Sequence, residues 1–74
     1  MIDTSKLRGL IAERGSSQRQ IARQLGMAEG TFYRKMQRGV FDSDEIVSMI
    51  SILGIRDPSA IFFADFGTQN APKE

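Results

Sequence analysis

Apolar residues recur at helical spacing in successive blocks along this chain, and glycines punctuate the blocks. Leu7, Leu10 and Ile11 form the first stripe, Asp3, Thr4 or Ser5 can cap it, and Gly15 stands where a left-handed closing residue belongs. Gly9 inside that helix costs about 1 kcal/mol relative to alanine. Ile21, Ala22 and Leu25 make a second stripe, opened by the capping-box pair Ser17 and Gln20 and ended by Gly26. Phe32 and Met36, four apart, give a third helix its inner face before Gly39, and Met27 in the preceding turn reads as a core plug. The fourth block has the strongest start signal: Asp42 and Glu45 form a capping box, and Phe41 is placed to staple onto Ile46. Ile46, Met49, Ile50 and Leu53 follow as its stripe, broadened by Val47 and Ile52, and Gly54 stops it. Asp57-Pro58 then predicts a cap and first turn for a short fifth helix through Ile61-Phe62-Phe63.

Five such blocks predict one all-α domain, a compact bundle of four to five helices over residues 1–66, with residues 67–74 as a flexible polar tail. Composition narrows the function. The chain has 74 residues with no cysteine and no histidine, so disulfides and thiolate metal sites are excluded and acid–base catalysis loses its commonest residue. Without a glycine-rich phosphate loop or metal-ligand cluster either, an enzyme is not expected, nor is a cofactor. No apolar run approaches the ~20 residues of a membrane helix, and the expected place is the cytoplasm, in association with the nucleoid. The net charge of +1 hides a division: residues 1–40 hold eight basic side chains against three acidic, residues 41–74 two against six. One half is basic and the other acidic, as a domain meeting phosphate on one face requires.

The basic half also carries the most informative stretch, Gln18-Arg19-Gln20-Ile21-Ala22-Arg23-Gln24-Leu25-Gly26-Met27, followed at once by Thr31-Phe32-Tyr33-Arg34-Lys35-Met36. Two short helices across so tight a turn, with Ala22 inward and Gly26 in the bend, are expected to form a helix-turn-helix, whose second helix enters the DNA major groove. The pattern Gln18-x-x-Ile21-Ala22-x-x-Leu25-Gly26-Met27, with Thr31-Phe32-Tyr33-Arg34-Lys35 and Asp57-Pro58-x-x-Ile61-Phe62-Phe63, resembles the phage Cro/repressor group of XRE-type regulators. The likeness runs from about Lys6 to Phe66. It implies a lambda-repressor-like DNA-binding domain, of prophage type, that reads an operator, often as a dimer. By position, Gln18 would touch a phosphate and brace the recognition helix, Glu29, Gly30 and Thr31 would form that helix's first turn, and Tyr33 and Arg34 its next exposed turn. Ala28 stands where relatives often place a serine cap, and Gly30 offers no side chain to a base.

Arg34 is the first choice for direct readout, since its planar fork fits guanine O6 and N7; a phosphate contact is its other use. Glu29 fits cytosine N4, or simply stabilises the helix dipole. Thr31 suits a phosphate or a thymine methyl, and Tyr33 a sugar and phosphate or the domain's edge. Lys35 and Arg38 are assigned to phosphate, with Arg19 or Arg23, while Arg8 and Arg14 are left as solvated charges. Thr31, Tyr33, Arg34 and Lys35 are thus expected to project together into water.

Ile61, Phe62, Phe63 and Phe66 admit two uses, completing a small core or forming a homodimer contact through Phe62, Phe63 and Phe66. A dimer spaces two recognition helices by about 34 Å over successive major grooves. No small-molecule effector is indicated. The leading expectation is a sequence-specific regulator, a repressor acting on operator DNA through residues 29–38. Its rival is a prophage adaptor or anti-repressor that uses the same fold to bind protein, without DNA contact.

Overall fold

The computed structural model describes residues 2–63, which form five helices and, among these residues, no strand. Helix α1 (Thr4–Glu13) starts at Asp3, whose carboxylate accepts the Lys6 N–H at 3.1 Å, so Asp3 is the cap of the three candidates. In α2 (Gln18–Leu25) Ser17 Oγ accepts the Gln20 N–H at 3.1 Å. The return arm of that predicted box is not made: Gln20 Oε1 accepts from Ser16 Oγ at 3.1 Å instead. Helix α3 (Glu29–Arg38) follows Ala28 with no side-chain cap, as its sequence requires. In α4 (Ser43–Leu53) Asp42 and Glu45 form the expected capping box, the Asp42 N–H donating to Glu45 Oε1 at 2.8 Å. Pro58 opens α5 (Pro58–Phe62) at its first turn.

The stripes meet in one core. Leu7 and Ile11 of α1, Ile21 and Ala22 of α2, Phe32 and Met36 of α3, and Met49 and Leu53 of α4 are buried, with Phe41, Ile55, Ile61 and Phe62 beside them. Met27 is partly buried against this cluster, in the plug position expected of it. Among the described residues no polar or charged residue is buried, so apolar burial, about 1.5–3 kcal/mol for each large side chain, is the main stabilising contribution. Phe32 is fully buried, and its ring centroid lies 5.4 Å from that of Phe41 at 54°. Emptying its site by Phe32→Ala costs about 3–5 kcal/mol, enough to unfold so small a domain.

Three expectations are corrected. Val47 and Ile52 do not broaden the buried stripe of α4; they stand 65% and 37% exposed, off the line of Met49 and Leu53. Phe62 packs in the protein's own core, which removes it from the dimer contact, whereas Phe63 beside it is half exposed. Arg14 is exposed but not free in solvent: its Nε donates to the Leu53 carbonyl at 2.8 Å, at the end of α4. Phe66 and the 67–74 tail lie outside the described residues.

Candidate nucleic-acid interface

The candidate face is built by α2 and α3, which pack against each other across the three residues Gly26, Met27 and Ala28. Gly26 takes φ +75°, a left-handed conformation that strains any side-chain-bearing residue, and there the chain reverses. The Met27 N–H donates back to the Ala22 carbonyl at 3.0 Å, so the turn is hydrogen-bonded to the helix it leaves. Phe32 and Met36 pin one side of α3 in the core. At about 100° per residue this turns Gly30, Arg34, Gln37 and Arg38 toward solvent.

The predicted residues divide on this scaffold. Arg34, Arg38, Gly30 and Glu29 are exposed, and Tyr33 is 54% exposed. The Arg34 guanidinium lies back over the first turn of α3, Nη2 donating to Thr31 Oγ1 at 3.4 Å. A Cβ on residue 30 would sit 3.8 Å from Arg34 Nη1, an ordinary contact distance, so the guanidinium lies close over Gly30 without needing a glycine there. Thr31 is half-buried. Arg19, at the start of α2, stands 4.0 Å (Nε to Oε1) from Glu29 at the start of α3. Both side chains are more than half exposed, so this ion pair is water-screened and breaks at little cost. Gln18 is half-buried, and its Oε1 is buried with no hydrogen-bond partner.

Lys35 behaves differently. Its Nζ lies 2.9 Å and 2.8 Å from the two carboxylate oxygens of Glu45 and 3.6 Å from Asp42 Oδ2, all three on α4 or its cap. Only 26% of the Lys35 side chain and 16% of that of Glu45 are exposed. The hydrogen bond it donates to Glu45 holds the Lys35 ammonium above its ordinary pKa, against the opposing effect of burial. Burial favours the neutral acid at Glu45, but the Lys35 and Asp42 N–H hydrogen bonds outweigh it and hold the carboxyl below its usual range. The four residues expected to project together therefore do not: Tyr33 and Arg34 face water, while Lys35 turns to α4.

Sequence reasoning passed over Gln37, which is exposed one turn beyond Tyr33 and Arg34. Its position three residues after Arg34 was the available signal. Among the described residues no cluster of acidic groups suits a metal, and no helix is long and apolar enough to cross a membrane. Comparison with family models, with curated proteins and with solved structures finds no match to this chain.

Proposed function

We propose that this chain is a sequence-specific DNA-binding regulator of the helix-turn-helix, lambda-repressor-like type, with α3 as its recognition helix. The observation that carries the reading is the outward face of α3: Arg34, Gln37 and Arg38 stand in water on a helix whose opposite side is locked by Phe32 and Met36. Arg19 in the first turn of α2 and Arg23 in its last are both exposed, as phosphate contacts beside a reader helix require. The excess of positive charge in residues 1–40 supports the same reading.

On this reading Arg34 swings off Thr31 to reach a base edge, and Tyr33 and Arg38 meet sugar and phosphate. Occupancy of an operator then represses a promoter. A dimer would double the recognition, and among the described residues of the aromatic segment Phe63 is the exposed one that can serve it. The adaptor reading draws on one observation: the Arg19–Glu29 pair puts a carboxylate at the tip of α3 and half neutralises an arginine there.

Selection of bound duplexes from a random-sequence pool, followed by fluorescence titration, tests both. DNA binding at low salt with a palindromic consensus is the expected outcome; no binding to any duplex leaves the adaptor reading. Arg34→Ala is expected to relax preference at one base position, worth about 1–3 kcal/mol, while an equal loss on selected and random duplexes makes Arg34 a phosphate contact.

A further inference from the structure

We propose that Lys35 is a positioning residue rather than a phosphate ligand: clamped by Glu45 and Asp42, it steadies the rotation of α3 that Phe32 and Met36 set, and with it the direction in which Arg34 leaves the helix. The inference rests on the DNA-binding reading of the same face.

The packing gives the clamp this role. Helix α3 packs on α2, and α2 on α4; on its other flank α3 meets the segment before α4 through the Phe32–Phe41 ring pair and α4 itself through the Lys35–Glu45 ion pair. The ring pair lies in the core and fixes depth. The ion pair lies at the rim, one residue from Arg34, and neighbours on a helix diverge by about 100°. Holding Lys35 against α4 therefore limits how far α3 can roll about the Phe32–Met36 line, and so how far Arg34 can swing with it.

Glu45 is well placed to act as the fixed jaw. Its Oε1 accepts from the Asp42 N–H at 2.8 Å as well as from Lys35 at 2.9 Å, so one carboxylate starts α4 and holds α3. Asp42 Oδ2, 3.6 Å from Nζ, adds a second negative charge on the same side. Drawing Lys35 away to a phosphate would leave the partly buried Glu45 carboxylate with the Asp42 N–H but without its cation, and the loss of that partner carries a desolvation cost. Arg34, Arg38 and Arg19 reach solvent with no such penalty.

The test uses the full chain and its Lys35→Met, Lys35→Arg and Glu45→Gln variants, glutamine keeping an acceptor for the Asp42 N–H. Binding is titrated over a range of salt on two probes: the duplex that the unaltered chain selects from a random pool, and a random-sequence duplex. The clamp predicts roughly fivefold weaker binding of the selected duplex by Lys35→Met and by Glu45→Gln, recovered in Lys35→Arg. It also predicts little change on the random duplex and an unchanged slope of log K against log salt. A slope shallower by about one on both probes for Lys35→Met makes Lys35 a phosphate ligand and overturns the proposal. Tighter binding with a steeper slope for Glu45→Gln overturns it too, since Lys35 would then be a phosphate ligand held in reserve. Amide exchange without DNA separates the two readings. Faster exchange in α3 than in α2 for Lys35→Met and Glu45→Gln supports the clamp even if the unaltered chain binds neither duplex, the result that removes the DNA reading. Unchanged exchange in α3 removes the clamp.

Discussion

Arg14 and Leu53, 39 positions apart, are joined by a hydrogen bond of 2.8 Å from the arginine Nε to the leucine carbonyl, and Nη2 reaches the Gly54 carbonyl at 3.4 Å. The last carbonyls of α4 have no partner within their own helix, and a cation there also suits the negative end of the dipole. Arg14→Ala is expected to cost about 1–2 kcal/mol of stability, read as a lower urea midpoint, because a partly buried charge-assisted bond is lost. The salt slope of DNA binding should not move. A stability loss within error of zero would return Arg14 to the role of a solvated charge.

Gly9 and Gly26 should respond oppositely to alanine. A Cβ at Gly9 meets nothing within 4 Å, and the residue lies inside α1. Gly9→Ala is expected to stabilise by about 0.5–1 kcal/mol. At Gly26, φ +75° puts the added methyl in a left-handed conformation, so Gly26→Ala is expected to destabilise by about 1–2 kcal/mol although space is open there as well. Thermal unfolding of the two variants side by side reads the contrast.

Ala28 has the extended backbone of a cap (φ −67°, ψ 147°) but no side chain to accept the waiting N–H groups of α3. Ala28→Ser is expected to stabilise by about 0.5–1 kcal/mol in urea unfolding. A neutral result would mean that water already serves those amides as well as a hydroxyl does.

The Lys35–Glu45 pair gives stability a defined pH dependence. The Glu45 carboxyl is held below its ordinary value, so its contribution is present above the unfolded carboxylate value, about 4.3, and is lost as pH falls through the lower folded one. Lys35 is raised, so its contribution is present below about 10.4 and lost as pH rises through the higher folded value. The stability difference between the unaltered chain and Glu45→Gln should be flat near neutrality and shrink below about pH 4. A difference that persists unchanged into strong acid would sever the link between pair and fold.

Where the sequence was legible, the signal was local. Ser17 and Asp42 mark helix starts because capping depends on residues within one turn, Pro58 opens α5 although the Asp57 side chain caps no N–H, and Leu7, Ile21, Phe32 and Met49 are buried because each lies on its helix's apolar line. What escaped was set by docking between elements. Nothing near Arg14 announces a partner 39 residues on, and Lys35 looks like its neighbours until α4 arrives with Glu45. Phe62 and Phe63 are identical in type, and only the closing of α5 onto the core buries one and leaves the other half exposed. The exposure of Arg34 and Arg38 was legible because the spacing from Phe32 and Met36 decides it, whereas Lys35 lies at the edge of that face, where spacing does not.

The hydrogen bond from the Asp3 N–H to the Ile61 carbonyl, 2.7 Å, makes α5 a latch on α1. Five residues are too few to stay helical by themselves, so α5 holds its shape only while seated. Strain that unseats α5 is therefore felt first at the N-cap of α1, at the far end of the chain from α4.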